Sequence, residues 1–417
     1  MKFAHLADCH LGAWPESEMT EIGLNSFEEA VNQCISENVD FVIISGDLFD
    51  TGRPSVDVLD FATKKFKKLN DEGISVYVVS GSHDYSPTGK TMLMVLESAG
   101  LLKRVDRRDE EATEGLRLKF TVDEKTGAKI TGMPGRKGSL EEHYYEDLDR
   151  ANLEKEKGFK IFVFHSAIRE FRPTIFEQMQ AIPLSLFPKG FDYYAGGHVH
   201  KDDIFSDKAY GKIAFPGATF PNNYRELELF KHGGFFIVQA NGNDIKVERR
   251  EIKLCDVVTM QLDARNKTPE KVEQELRESI EETDVNDKIV LIRIEGVLNS
   301  GRVTEINLRG IHKALKEKNA RIVKINTNKL STKEYEEISI EQPSSRDELE
   351  EKLIRENVGQ FGLGKLSVDE RIELTKGLIH FLSDEKKEGE TNKDYGARVM
   401  DGATTLLGIK KELEALQ

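Results

Sequence analysis

Asp8-Cys9-His10, Gly46-Asp47, Gly81-Ser82-His83-Asp84, His165 and Gly197-His198-Val199-His200 are five short words of carboxylate oxygen and imidazole nitrogen. Donors of these kinds suit Mn²⁺, Fe²⁺ or Zn²⁺. The chain of 417 residues holds 10 histidines, and five of them (His10, His83, His165, His198, His200) fall inside these words. Together the words spell a two-metal site for phosphoryl chemistry. Two divalent ions about 3.5–4 Å apart clamp the attacking and leaving oxygens of an in-line displacement and supply hydroxide near neutral pH. Asp47, following an apolar run and a glycine, is the natural bridge between them. Asp8, His10 and one late histidine complete one ion; His165 and the other late histidine serve the second. A poor leaving group also needs a proton, and His83 fits that role, with Asp84 beside it to orient or charge the imidazole.

The elements that must position these residues are legible around them. Phe41-Val42-Ile43-Ile44 precedes Asp47, Val76-Tyr77-Val78-Val79 precedes His83, and Ile161-Phe162-Val163-Phe164 precedes His165. Such runs read as strands covered on both faces, and Phe3-Ala4-His5-Leu6-Ala7 as a further strand before Asp8. Ligands of open α/β sheets collect at the carboxyl ends of strands, so distant words converge there. Period-2 alternation puts Asp8 and His10 on one side of an extended segment, and His198 and His200 likewise. Ser26-Phe27-Glu28-Glu29 reads as a capping box opening a helix towards Glu37. Pro54 starts a second helix with Val58, Ala62, Phe66 and Leu69 on one face. A third, from Thr91 through Met92-Leu93-Met94-Val95-Leu96, is apolar nearly all round and is buried either in the core or against a partner.

Length and composition set the frame. A chain of this size divides into two or three domains. The reading places a catalytic domain at 1–250, a small α+β cap at 255–330 and helical, polar sequence at 331–417. The cap has strands at 257–262, 289–294 and 320–325, helices at 269–280 and 306–318, and no cluster of catalytic residue types. Ser345-Arg346-Asp347-Glu348 heads a helix, 384–390 is a charged linker, and the last helix carries Val399, Ala403, Leu406, Leu407, Ile409, Leu413 and Leu416. That stripe either docks a partner or packs back on its own domain. No run is long enough to span a membrane, and the N-terminus enters a strand directly rather than a signal peptide. Three cysteines without disulfide or zinc spacing favour a reducing, cytoplasmic setting. A net charge of −14 argues against a basic nucleic-acid coat, although bound cations reverse the field locally.

The series D-x-H, G-D, G-x-H-D, H, G-H-x-H resembles that of the calcineurin-like metallophosphoesterase superfamily. Within it, Phe3 to Gly12, Ser45-Gly46-Asp47-Leu48-Phe49-Asp50, Arg53-Pro54, Phe215-Pro216-Gly217 and Lys231-His232-Gly233-Gly234-Phe235 resemble the meiotic-recombination-eleven family, in its shorter archaeal form. The likeness is close over residues 1–240 and only architectural from 255 onward. It implies an α/β metallophosphoesterase β-sandwich flanked by helices, then a small α+β capping domain and a C-terminal helical element. It also implies a nuclease with two Mn²⁺ ions that degrades DNA ends 3′→5′ and nicks single strands in double-strand break repair. Asp8, His10, Asp47 and His200 would hold the first ion; Asp47, residue 82, His165 and His198 the second. His83 would be the catalytic histidine and Asp84 its partner. The implied partners are DNA, a second copy through the helices at 54 and 91, and an SMC-like coiled-coil ATPase on the C-terminal helices; the setting is cytoplasmic and nucleoid-associated. Ser82 departs from the pattern, which has asparagine as a ligand there. Its hydroxyl is shorter and weaker, which implies looser binding of the second ion.

Two other functions fit the same words: a small-molecule phosphodiesterase, and a scaffold in which Ser82 marks a decayed site. Arg53, Tyr85, Lys90, Lys201, Tyr224 and Arg225, in or just after the site loops, are the candidate phosphate contacts.

Overall fold

Short strands apolar on both faces need cover on both sides, and the chain supplies it with a second sheet on one face and helices on the other. The computed structural model describes residues 1–333 apart from 87–88, 110–114, 137–139, 177 and 243, and then residues 354, 367–383 and 392–407. The first elements are β1 (Lys2–Leu6), α1 (Ser17–Ser36), β2 (Phe41–Ser45), α2 (Val56–Asp71), β3 (Ser75–Val79), α3 (Leu93–Ser98) and β4 (Lys103–Arg104). Next come β5 (Thr121–Val122), β6 (Lys129–Met133), α4 (Leu140–Glu146), α5 (Arg150–Glu154) and β7 (Lys160–His165). A small pair, β8 (Ala167–Ile168) and β9 (Ala181–Ile182), precedes β10 (Tyr193–Gly197), β11 (Asp203–Asp207), β12 (Gly211–Phe215) and α6 (Tyr224–Phe230). Two long strands, β13 (Gly233–Asn241) and β14 (Asp244–Ile252), close this part.

One six-stranded sheet runs β14-β13-β1-β2-β3-β4, the other β11-β12-β10-β7-β6-β5. β1 to β4 are mutually parallel, as are β6, β7, β10 and β12, so their carboxyl ends share an edge. Phe3, Phe41 and Tyr77 of the first sheet meet Ile161, Val163 and Tyr193 of the second in one buried core. On the outer face of the first sheet, α1 and α2 contribute Phe27, Val31, Phe66 and Leu69.

His5 joins the sheets beneath the site. Its Nδ1 lies 2.9 Å from the Tyr193 hydroxyl and its Nε2 2.8 Å from Ser45 Oγ, which in turn donates to the Ala195 carbonyl. Burial drops its pKa from 6.5 to about 3, so the ring is neutral in the fold. The unfolded chain takes a proton below its ordinary value that the native chain refuses. Stability is therefore lost as pH falls from that value towards the folded one, by up to about 1.4 kcal/mol per pH unit. In urea titrations between pH 6 and 4, His5→Asn should show a shallower loss of stability with pH than the unchanged chain. Parallel slopes would mean that the native ring is charged.

Three local expectations are corrected. Ser26 does not cap a helix: α1 begins nine residues earlier, at Ser17, and Ser26 lies buried within it, its hydroxyl donating to the Ile22 carbonyl at 2.8 Å. That bond to the preceding turn satisfies a hydroxyl on the apolar face. The apolar run at 91–96 makes only a six-residue helix, with Leu93 and Leu96 in the core and Met94 and Val95 about half exposed. Asp8 and His10 are not in extended backbone; both are left-handed, with φ of 50° and 42°.

The rest is β15 (Val257–Asp263), α7 (Pro269–Glu282), β16 (Ile289–Leu298), α8 (Leu308–Glu317), β17 (Ile322–Thr332), α9 (Val368–Ser383) and α10 (Asn392–Leu406). β15, β16 and β17 form a three-stranded sheet in that order. The chain divides into two units: Met1–Leu262 with Glu275–Arg293 and Leu308–Asn326, and Asp263–Gln274 with Ile294–Asn307 and Thr327–Gln417. Within the first, Val257, Ile289, Leu291 and Ile322 pack with Met19, Ile22, Phe220 and Leu227. Within the second, α9 and α10 pack together so closely that a Cβ on Gly377 would lie 2.9 Å from Leu406. The helix expected from Ser345, the linker at 384–390 and the end of the last helix lie outside the described residues.

Candidate metal centre

The five words meet where the parallel strands of both sheets end. Asp8, Asp47 and His83 follow β1, β2 and β3; His165 ends β7, and His198 follows β10. Asp8, His10 and His200 each bring one donor atom within 4.8 Å of the others, and Asp8, Asp47 and His165 do the same. The turns that aim them are strained: Asp8, His10, Asp47 and His198 all have positive φ, between 42° and 76°. Non-glycine residues rarely adopt this conformation, and it clusters at functional sites. Glycine is needed where the loops touch. A Cβ on Gly46 would lie 2.3 Å from His165 Nδ1, and one on Gly81 2.2 Å from the Asp47 amide nitrogen.

Three of the candidate ligand histidines have an oxygen close to Nδ1, in a hydrogen bond for His165 and His10 and in an ion-pair contact without hydrogen-bond alignment for His200. His165 Nδ1 lies 2.8 Å from the Ser45 carbonyl oxygen, His10 Nδ1 3.2 Å from Asp50 Oδ1, and His200 Nδ1 2.9 Å from Glu226 Oε1. An oxygen on Nδ1 fixes the ring and leaves Nε2 as the ligand, an arrangement usual at metal sites. The Nε2 atoms do turn inward: those of His10 and His200 are 3.3 Å apart, and that of His165 is 3.1 Å from Asp47 Oδ2. Asp47 is the hub. Its Oδ2 also lies 3.7 Å from His10 Nε2 and 3.5 Å from Ser82 Oγ, while its Oδ1 accepts the His83 amide at 2.7 Å. His198 donates its amide to both oxygens of Asp8, and its ring stands 5.1 Å from that of His165.

Buried carboxylates and imidazoles at this spacing shift one another. Burial would raise Asp47, but His165 and His10 hold it well below the usual carboxylate range. Burial would lower His165 and His200, but Asp47 and Asp8 respectively push them up, to about 10 and about 9. Burial, with His165 beside it, drops His198 to about 3. The carboxylates thus draw positive charge to their centre. His165 Nε2 is buried without a hydrogen bond among the described residues, although it lies beside Asp47. A divalent ion answers both features, and the donors are of the right class.

Asp84 does a different job from the one expected of it. Its carboxylate accepts the amides of Gly81 (2.9 Å), Leu48 (3.4 Å) and Phe49 (3.0 Å), joining the loops after β2 and β3. Burial and the charge of Asp47 raise it to about 7. His83 is oriented instead by Asp50, whose carbonyl oxygen lies 2.7 Å from the ring Nδ1. Asp50 and Glu226, which contact the site histidines, are not among the residues that the sequence singles out. Asp50 sits in a quoted word, Ser45 to Asp50, but it lies three residues past the obvious ligand. Glu226 carried a clearer signal, Asn223-x-x-Glu226, a capping pattern in which the Asn223 side chain accepts the Glu226 amide at 3.0 Å.

The candidate phosphate contacts scatter. Arg53 and Tyr85 line a cleft beside His83, and Lys90 is exposed and not among its lining residues. Lys201 pairs with Asp203 at 3.3 Å, and Arg225 donates to the Ile175 carbonyl. Tyr224 is turned into packing, under the Arg293 guanidinium and against the Met19 cluster, because it opens α6 on its inner side.

Residues 1–202 match the calcineurin-like phosphoesterase family. A "DNA double-strand break repair protein Mre11" of Methanopyrus kandleri is 28% identical over 67% of this chain and 62% of its own length. The Mre11 of Methanococcus maripaludis is 29% identical over 58% of this chain and 64% of its own. An "uncharacterized metallophosphoesterase YhaO" of Bacillus subtilis is 26% identical over 60% and 59%. The aligned stretch thus spans less than two thirds of the length of each of these three relatives. Residues 1–202 are thus similar to the calcineurin-like phosphoesterases, and the chain is similar to the Mre11 proteins.

Proposed function

We propose that the chain is a divalent-metal-dependent nuclease that cuts DNA at ends and in single strands, with Mn²⁺ as its ion. The observation that carries this reading is the pair of ligand triples sharing Asp8 at one sheet edge, with Nδ1 anchors behind the imidazoles. Asp8, His10, Asp47 and His200 would hold one ion, and Asp47, His165, His198 and Ser82 the other. Such a pair polarises a phosphodiester and lowers the pKa of water. The protein's own part in the chemistry falls to His83. A carbonyl oxygen only accepts, so the Asp50 contact puts the proton on Nδ1 and leaves Nε2 to exchange protons with a leaving oxygen. The side chain is 40% exposed, open to a substrate in the adjoining cleft.

The test is cleavage of end-labelled duplex DNA with Mn²⁺, beside His83→Ala. Cleavage lost in the variant supports the reading. Turnover of bis(p-nitrophenyl) phosphate without DNA cleavage would leave a small-molecule phosphodiesterase, and no turnover of either a scaffold. Ser82 gives a graded check. Ser82→Asn adds a carbonyl ligand, so the Mn²⁺ concentration for half-maximal activity should fall about tenfold. An unchanged requirement would show that residue 82 does not contact an ion.

The same reading includes a homodimer through α2 and α3 and a coiled-coil ATPase partner on the C-terminal helices, with residues 255–330 as a cap. Val56, Met94 and Val95, and separately Leu382 and Met400, are exposed apolar side chains that support these surfaces. No described helix is long and apolar enough to cross a membrane.

A further inference from the structure

A cleft of about 630 Å³ opens beside His83, its walls including Arg53, Ser82, Tyr85 and Arg136. Ligand sites commonly fall between about 300 and 1,000 Å³. In a chain of net charge −14 this cleft carries two guanidiniums. Asp50 also lines it, with its side chain turned to His10. Both guanidiniums ride on loops locked against the His83 loop. Gly135 donates its amide to the Ser80 carbonyl at 2.8 Å, and a Cβ there would lie 2.4 Å from His165 Cδ2. A Cβ on Gly52 would lie 2.3 Å from the Tyr85 carbonyl carbon. Arg136 then stacks 4.0 Å above the Tyr85 ring.

We propose that this cleft is a second phosphate subsite, in which Arg136, with Arg53, holds the phosphodiester next to the one being cut. It rests on the reading of the metal centre as a nuclease site. A guanidinium matches two phosphate oxygens at once, and stacking fixes its plane before the ligand arrives. Contacts of this kind set the register of a strand without reading its bases. A substrate with a single phosphate leaves the subsite empty, which gives the centre a preference for a polynucleotide over a small diester.

The experiment is the binding of a fluorescein-labelled single-stranded oligothymidylate in EDTA, followed by anisotropy across a salt series. Arg136→Ala should weaken binding about tenfold at low salt and reduce the slope of log K against log[salt] by about 0.7, the share of one single-strand phosphate. Arg53→Ala should also reduce the slope, and Arg136→Lys should keep most of it. Unchanged affinity in Arg136→Ala, or no binding by the unchanged chain, overturns the proposal. So does weaker binding at the same slope, because Arg136 would then merely support Tyr85. Cleavage of the same oligonucleotide with Mn²⁺ is scored separately. A reduced slope without cleavage keeps the subsite and removes the nuclease reading; cleavage with an unaltered slope does the reverse.

Discussion

Asp47→Ala is expected to eliminate tight binding of both ions and to lower phosphodiester hydrolysis by at least about 10³-fold. No other side chain touches so much of the centre. Its two oxygens reach His165, His10, Ser82 and the His83 amide, each within 3.7 Å. The neighbouring imidazoles keep it charged throughout the neutral range, against the effect of burial. Alanine therefore removes the negative charge that both ions would share and also the acceptor that fixes the His83 backbone. Mn²⁺ titration by calorimetry, with cleavage measured alongside, checks this. A variant that still binds two ions as tightly as the unchanged chain would show that Asp47 does not bridge.

Asp84→Asn is expected to cost about 2–4 kcal/mol of stability and to lower the melting midpoint by several degrees. The carboxylate has three buried backbone donors facing it, from Gly81, Leu48 and Phe49. An amide offers one accepting oxygen, so its NH₂ must face at least one N–H that then goes unsatisfied. The loops joined by this carboxylate carry Asp47 and His83, so activity should fall as they loosen. Thermal melting with a pH–rate profile distinguishes this from the role read in the sequence. If Asp84 instead tuned His83, the profile would shift while the melting midpoint stayed where it was.

The candidate centre was legible because its donors are of few types and most of its words follow a strand that announces itself by an apolar run. β2, β3 and β7 end where Phe41 to Ile44, Val76 to Val79 and Ile161 to Phe164 end or one residue later. What stayed hidden depends on the third dimension. Asp8 and His10 were paired by alternation, yet left-handed turns bring them together, and no residue type in Asp-Cys-His predicts positive φ. Ser26-x-x-Glu29 has the letters of a cap but lies in mid-helix, since what decides a helix start is whether the preceding residues leave the helical region. Asp84 follows His83 directly and was therefore assigned to it. Adjacent side chains diverge, and the aspartate turned to backbone from another loop. Arg136 has no motif at all; it matters only because β6 ends beside β3.

The left-handed backbone at Asp8, His10, Asp47 and His198 has a practical consequence for anyone evolving this protein. Each such residue carries about 1–3 kcal/mol of strain that a glycine at the same place would relieve. Selection for heat resistance alone would then favour glycine at the very positions proposed to bind the ion, giving hardier molecules with no chemistry left in them. A library screened by melting point would drift towards inert sandwiches, whereas one screened by cleavage would keep the strained turns and find its stability elsewhere.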